Sequence, residues 1–231
     1  MTPSYSHALV IGAGPGLSAS LAQLFAAKGL RVTLAARSVD KLGPLAKETG
    51  ARAVACDAGD AGDVARLFAT LDEGGAGPDV VVYNPSARVR GPVTELDPEA
   101  VERAVRITAL GAFFSAREAA LRMVPKGHGA LLFTGASAGV KGFPESSSFA
   151  MGKFALRGLC QSLARELHPK GIHVGHFVID GAIRNPERRP EPSEDAHLDP
   201  DAIARSYWHF LEQDRSSWAW EIELRPWVER F

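Results

Sequence analysis

The chain has 231 residues, 45% of them hydrophobic, and its formal net charge is -1. This near-neutral balance gives no electrostatic reason to expect nucleic acid or an acidic membrane surface as a partner. The two cysteines, Cys56 and Cys160, are too few for a disulfide framework and lack the spacing of metal ligands.

Short apolar runs alternate along the chain with segments whose apolar residues recur at helical spacing. The predicted strands are His7–Gly12, Arg31–Ala36, Ala51–Cys56, Asp79–Asn84, Ala130–Thr134, Ile172–Ile179 and Trp218–Leu224. The predicted helices are Leu17–Lys28, Val39–Glu48, Asp60–Leu71, Pro98–Met123, Ser147–Leu167 and Asp201–Glu212. This alternation predicts an α/β fold: a single Rossmann-type domain over residues 1–231, with a doubly wound parallel sheet of about seven strands and helices on both faces.

The segment Arg184–Pro200 differs in character, with four prolines and eight charged residues among its seventeen. Such a composition favours a mobile surface segment. We expect it to form part of a substrate lid within residues 184–213, over a cleft that takes a small-molecule substrate.

A cluster of glycines stands between the first predicted strand and the first predicted helix. Gly12, Gly14 and Gly16 lie there together with Pro15, and Leu17 opens the helix. Glycines let the backbone approach a pyrophosphate, and a helix N-terminus offers unpaired N–H groups and the positive end of a dipole. The alternative is a tight strand-to-helix connection without a ligand.

The pattern Gly12-x-x-x-Gly16-x-Ser18 resembles the turn of the short-chain dehydrogenase/reductase family, with Ser18 in place of the third glycine. We therefore expect slightly wider packing of the helix on the strand there. Further matches, in the family's order over residues 7–183, are Asp57 after the third strand, Asn84 after the fourth, Lys153 in a Tyr-x-x-x-Lys slot, and Asp180-Gly181 where the family has Pro-Gly. The resemblance implies a nicotinamide dinucleotide held by Gly12, Gly14, Pro15, Gly16, Leu17, Arg37, Asp57, Asn84, Lys153, Gly181 and Ile183.

In this fold the residue at the end of the second strand determines whether NAD or NADP is preferred. An acidic residue there accepts hydrogen bonds from the ribose 2′-OH and repels a 2′-phosphate. This chain has Ala36 followed by Arg37, whose guanidinium matches a phosphate. The sequence therefore favours NADP(H), with NAD(H) as the alternative if Arg37 is only a solvated side chain.

The resemblance fails at the catalytic centre. In the family a tyrosine exchanges a proton with the substrate oxygen, a serine polarises the carbonyl, and an asparagine holds a water. Here Phe149 stands in the tyrosine slot and Thr108 in the asparagine slot. The serine slot falls on Ala136, and a one-residue difference in the intervening loop would bring the adjacent Ser137 into the serine role. Lys153 alone keeps its expected place.

Three hypotheses follow, in order of preference. The first is an NADP(H)-dependent oxidoreductase of a carbonyl or alcohol, in which Ser137, a serine among Ser146–Ser148, or a bound water replaces the tyrosine. The second is an NADP(H)-binding protein without turnover, either a cofactor sensor or a partner subunit. The third is a structural protein with a vestigial site.

Two long predicted helices indicate that the chain forms oligomers. Their apolar residues extend beyond the side that faces the sheet, so a second surface is needed to cover them. The resemblance implies that Pro98–Met123 and Ser147–Leu167 pair across a two-fold axis in a homodimer or homotetramer, and the aromatic tail Trp227–Phe231 is expected to join an interface.

No metal is expected, because His173 and His176 point to opposite faces of a strand. The apolar run Ala8–Ile11 is too short for a signal peptide or membrane span, which predicts a cytoplasmic protein that binds no membrane.

Overall fold

The computed structural model describes residues 4–75, 77–185 and 196–228. Its strands are β1 (His7–Ile11), β2 (Arg31–Ala36), β3 (Arg52–Ala55), β4 (Val80–Tyr83), β5 (Gly129–Thr134), β6 (Ile172–Ile179), β7 (Ala182–Ile183), β8 (His197–Leu198) and β9 (Glu221–Leu224). Its helices are α1 (Leu17–Ala27), α2 (Gly43–Thr49), α3 (Ala61–Glu73), α4 (Pro98–Val105), α5 (Gly111–Met123), α6 (Ser147–Leu167) and α7 (Pro200–Leu211).

Seven strands form one parallel sheet in the order β3-β2-β1-β4-β5-β6-β9. All five residues of β1 and all eight of β6 are buried, as expected for strands that are covered by helices on both faces. The predicted α/β fold with a seven-stranded parallel sheet is confirmed.

Two hydrophobic cores lie on the two faces of the sheet. On one face, α3, α5 and α6 pack their apolar side chains, such as Phe68 and Leu156, against β4 and β5. On the other face, α1 and α7 contribute Leu21 and Phe210, which pack with Val10 and the neighbouring strands. These layers hold the carboxyl ends of the strands at a fixed edge of the sheet.

Within the described ranges, no helix combines the length and apolar character that crossing a membrane requires.

The predicted helix Pro98–Met123 is not continuous, which corrects the sequence-based expectation. A π-helical turn, Arg106–Leu110, separates α4 from α5. The Tyr83 hydroxyl donates to the carbonyl oxygen of Ile107 inside this turn. A Cβ at Gly111 would collide with that hydroxyl and with the Ala58 carbonyl, so the turn and the glycine adapt the helix to the ends of β3 and β4.

Other boundaries differ for local reasons. The predicted helix Val39–Glu48 begins with a 3₁₀ turn, Val39–Leu42, because Pro44 has no N–H for a continuous α-helical ladder. The predicted strand Trp218–Leu224 shortens to β9. Of the predicted lid, residues 186–195 lie outside the described residues, and on either side of that gap β7 and β8 pair as a two-stranded parallel sheet that the sequence did not predict.

Candidate active site

Two clefts open at the carboxyl ends of the strands, beside the junction of β1 and β4. The first cleft, of about 760 Å³, is lined by the residues after β1, β2 and β3. The second cleft, of about 660 Å³, is lined by the residues after β4, β5 and β6. Pro15, Asn84 and Ser86 line both, so the two clefts adjoin. The strand order reverses between β1 and β4, and ligands of open α/β sheets bind at such a point.

The glycine turn has the geometry of an anion cradle. Gly12 and Gly16 have φ angles of 79° and 85°, and a Cβ at Gly12 would come within 2.7 Å of Pro85. A Cβ at Gly14 would meet nothing within 4 Å, so this stretch of backbone faces open space. Helix α1 begins with no side-chain cap and no acidic residue in its first turn. Its first N–H groups are therefore available to a pyrophosphate, and the residues present fit that group.

Ser18, in the place of the family's third glycine, ties the turn to the sheet. Its buried hydroxyl donates to the Gly12 carbonyl oxygen at 3.0 Å and accepts from the Asn84 amide at 2.7 Å. This bridge joins the start of α1 to the end of β4. The sequence pattern does not predict this bridge, because in that pattern Ser18 is only a departure from glycine.

The far end of the first cleft carries positive charge. Arg37 and Lys41 both line it and are exposed, and Ala36 places no carboxylate at the end of β2. Asp57 lines the same cleft, and its side chain accepts a hydrogen bond from the Gly59 N–H at 2.9 Å. Lys41 is a second cation that sequence reasoning did not single out, although it lies only four residues after Arg37.

Lys153 lies in the second cleft and is almost fully buried on α6. Its ammonium donates to the Thr134 carbonyl oxygen at 2.7 Å. Burial is the main cause that lowers the pKa of Lys153 to about 8; Cys160 partly opposes this shift and the nearby Arg88 adds a smaller lowering. A group with such a pKa exchanges its proton readily at neutral pH.

Phe149 packs beside Lys153 as a covered ring in the wall of the second cleft. The ring is 8% exposed, and the Arg88 guanidinium lies 4.0 Å from its centroid. The Lys153 Nζ atom lies 5.7 Å from the same centroid. Two cations therefore flank a side chain that has no proton to give, and Arg88 is a site residue that sequence reasoning missed.

The serines near this wall differ in what they contact. Ser137 lines the second cleft next to Ala136, at the start of a short 3₁₀ turn, and it is half-buried. Ser146 is buried and lines the same cleft. The Ser148 hydroxyl instead bonds the backbone N–H and carbonyl of Val89, which ties it to the loop after β4.

Thr108 is fully buried in the π-helical turn and lines neither cleft. Its hydroxyl accepts a hydrogen bond from the Ala87 N–H at 3.2 Å, and a Cβ at Gly152 would come within 2.9 Å of the Thr108 Cβ atom. Its contacts therefore position the loop after β4 against α6.

Residues after β6 close the second cleft. Gly181 and Ile183 line it, and Gly181 has a φ of 150°. Asp180 lies between two cations, with Lys141 Nζ at 3.5 Å and Arg225 Nη2 at 3.8 Å. Tyr83 and Tyr207 are not placed to act as proton donors in this cleft, because Tyr83 bonds the Ile107 carbonyl oxygen and Tyr207 bonds Thr134 Oγ1 at 3.0 Å.

The histidines of β6 serve packing on opposite faces of the sheet. His173 stacks between Phe210 and Trp218, with ring centroids 4.0 and 4.3 Å away. His176 bonds the Glu221 carboxylate at 2.9 Å. Within residues 4–75, 77–185 and 196–228, no group of histidine, cysteine and acidic side chains could hold a metal ion.

Comparison with known proteins gives a consistent set of relatives. Residues 6–190 match the profile of the short chain dehydrogenase family. A short-chain dehydrogenase from Rhodopseudomonas palustris is 34% identical and superposes with a TM-score of 0.83, covering 96% of this chain and 99% of its own. A metagenomic short-chain oxidoreductase solved in complex with NADP is 23% identical, with a TM-score of 0.84 and coverage of 99% and 100%. The cyclic-di-GMP-binding biofilm dispersal mediator protein of Escherichia coli (strain K12) is 32% identical over 191 residues, which are 79% of this chain and 76% of that protein.

Proposed function

The chain belongs to the short-chain dehydrogenase family, and from that premise we propose that it is an NADP(H)-dependent oxidoreductase of a carbonyl or alcohol whose proton relay contains no tyrosine. The observation that carries the proposal is the pairing of an open glycine cradle at the start of α1 with a buried lysine in the adjoining cleft. A protein that only needed the fold would have no use for a buried ammonium at that edge of the sheet.

The cofactor would lie along both clefts. The turn from Gly12 to Leu17 would hold its pyrophosphate, Arg37 its 2′-phosphate and Asp57 its adenine. Further along, Asn84 and Lys153 would bind on the ribose side, and Gly181 and Ile183 would border the nicotinamide. When bound, NADPH supplies a hydride to the substrate carbonyl carbon and leaves as NADP⁺.

The chain itself must supply the proton that the carbonyl oxygen takes up. Phe149 cannot donate one, and the Ser148 hydroxyl already bonds the backbone N–H and carbonyl oxygen of Val89. Ser137 and Ser146 remain in the cleft wall as groups that could polarise the oxygen, directly or through a water. Lys153, with its lowered pKa, is the group from which the proton would come. Loss of a dedicated general acid commonly costs about a hundred- to ten-thousandfold in rate, so we expect a slow enzyme on ordinary carbonyls.

A second candidate is an NADP(H)-binding protein without turnover. The covered ring of Phe149 favours it, since the flanking Arg88 and Lys153 pack against a side chain with no acid–base chemistry. The Escherichia coli relative, named for binding a cyclic dinucleotide, is a precedent for a nucleotide-responsive role. Such a protein would bind NADPH tightly and transfer no hydride.

We also propose that the protein is a homodimer or homotetramer. Large apolar side chains on α5 and α6 remain substantially exposed: Phe113, Leu121, Met151 and Phe154 at 46%, 56%, 50% and 46%. Exposed apolar area of this kind on two neighbouring helices is typical of a surface that another subunit covers. Trp227 is 81% exposed and would be covered in the same assembly.

The test of the proposed activity combines two measurements on one preparation. Titration of NADPH and NADH by calorimetry measures binding, and loss of nicotinamide absorbance with a panel of aldehydes and ketones measures turnover. Binding with slow turnover supports the oxidoreductase, whereas tight binding with no turnover on any carbonyl supports the second candidate. No binding of either dinucleotide would refute both.

A further inference from the structure

The second cleft is strongly cationic. Arg88, Arg90, Lys141, Lys153 and Arg184 all line it, against Asp180 as the single carboxylate among its described lining residues. Asp180 is itself flanked by Lys141 and by Arg225, which lies outside the lining. The described residues that line the cleft therefore carry more positive than negative side chains, although the whole chain is close to neutral with a net charge of -1.

Two of these cations lie over aromatic rings of the cleft wall, and a third lies close by in the sequence. The Arg88 guanidinium lies 4.0 Å from the Phe149 centroid, and Lys141 Nζ lies 5.6 Å from the Phe143 centroid. Arg90 follows two residues after Arg88 in the same loop, and both side chains are exposed. Among the described residues, Arg90 forms no ion pair, so its charge is available to a ligand.

The cofactor expected in this fold does not account for these charges. Its pyrophosphate would lie at the start of α1, after β1, and a 2′-phosphate would lie at Arg37 in the first cleft. Arg88, Arg90 and Lys141 follow β4 and β5 instead and line only the second cleft. They stand at the Phe149 wall, where the substrate of the proposed reaction would be bound.

From this juxtaposition we infer that the substrate is a carbonyl or alcohol compound that carries an anionic group, a carboxylate or a phosphate ester, held by Arg88 and Arg90 with Lys141. That the bound anion is a substrate rests on the proposed function, but the anion site itself can be tested without turnover. A guanidinium matches either oxyanion bidentately, and a cleft with low-dielectric walls concentrates anions. The exposed ring of Phe143 would contact the remainder of the molecule.

The binding test uses full-length protein saturated with NADP⁺, titrated with terephthalate, with its neutral dimethyl ester, and with phenyl phosphate. We expect terephthalate or phenyl phosphate to bind at least about tenfold more tightly than the ester, and to weaken as salt screens the charges. The oxyanion that binds more tightly identifies a carboxylate or a phosphate as the natural group. Equal binding of anion and ester would overturn the inference. Anion binding that is seen in protein without NADP⁺ and is lost in the saturated protein would also overturn it, since the cations would then serve the cofactor.

Matched variants locate the site. Arg88→Gln and Arg90→Gln should each weaken anion binding by about ten- to a hundredfold, the range for loss of one charge-assisted hydrogen bond. Lys170→Gln removes one positive charge from an exposed position just before β6, at the opposite edge of the sheet, and should change nothing. Thermal unfolding of each variant checks that it folds. If both cleft variants fold and bind the anion as well as Lys170→Gln does, the inference is wrong.

Turnover separates this inference from the proposed function. With NADPH, para-carboxybenzaldehyde should be reduced with a lower KM than methyl para-formylbenzoate, and Arg88→Gln should remove that difference. Reduction of the ester at an equal or lower KM would refute the anionic substrate and leave the oxidoreductase standing. Anion binding that depends on Arg88, without reduction of any aldehyde, would refute the oxidoreductase and leave the anion site standing.

Discussion

Restoring a tyrosine at position 149 tests how the proton reaches the substrate. Phe149→Tyr places a phenol beside Lys153, whose Nζ lies 5.7 Å from the present ring centroid. At that separation and an effective dielectric constant of about 20, an ammonium stabilises a phenolate by about 3 kcal/mol. The neighbouring ammonium therefore lowers the pKa of the phenol. The variant would then carry a general acid suited to neutral pH.

We expect Phe149→Tyr to raise the kcat of NADPH-dependent carbonyl reduction by at least about tenfold. The assay is steady-state NADPH oxidation against one carbonyl panel for the wild-type protein and the variant. Phe143→Tyr is the matched control, because it adds the same hydroxyl to another ring of the cleft with Lys141, not Lys153, as the neighbouring cation. Lys153→Ala combined with Phe149→Tyr should lose most of the gain.

Two outcomes would contradict this role of Lys153. Brisk wild-type turnover that Phe149→Tyr leaves unchanged would show that another group already delivers the proton efficiently. An equal gain from Phe143→Tyr would show that the hydroxyl acts without its partnership with Lys153.

The other predictions concern the cofactor, the pH and the assembly. Arg37→Ala should narrow the preference for NADPH over NADH by about 1 to 3 kcal/mol in calorimetric titration, and equal binding of the two by the wild-type protein would refute the assignment. Burial lowers the pKa of His173 to about 4, so the fold holds it neutral and stability is lost as the pH falls from about 6.5 towards 4, by at most about 3 kcal/mol. Urea unfolding at several pH values should show this loss, and His173→Phe should flatten it; an unchanged slope would contradict the assignment. Light scattering should show a dimer or tetramer that Met151→Glu together with Phe154→Glu dissociates, and a wild-type monomer at micromolar concentration would contradict the proposed interface.

The boundaries that the sequence predicts best are those set by local signals. Helix Ser147–Leu167 and strands Arg31–Ala36 and Ile172–Ile179 agree residue for residue with α6, β2 and β6. Each is a long periodic or apolar run that ends at glycine, proline or polar residues. The π-helical turn at Arg106–Leu110 was not predictable in this way, because it depends on Tyr83 and Ala58, which are distant in the sequence.

The same distinction between local signals and long-range contacts applies to the candidate site. The glycine turn follows from a motif within one stretch of sequence, so the position of Gly12, Gly14 and Gly16 between β1 and α1 could be predicted from their spacing. The wall of the second cleft depends on loops after different strands that meet only in the folded chain. The stacking of Arg88 on Phe149 belongs to this second kind, since nothing in the local pattern relates residues that are 61 positions apart. The contact of Ser18 with Asn84 is likewise formed across the sheet edge.

Transfer of hydrogen from NADPH deuterated at its transferable position tests the central claim most directly. The protein is incubated with this cofactor and an excess of para-carboxybenzaldehyde, and the alcohol formed is analysed by mass spectrometry. We expect one deuterium in each alcohol molecule and as much alcohol as NADPH consumed. The amount of alcohol formed should decrease strongly in Lys153→Ala. Bound NADPH that remains unoxidised with this and every other carbonyl of the panel would contradict the claim that the protein is an oxidoreductase.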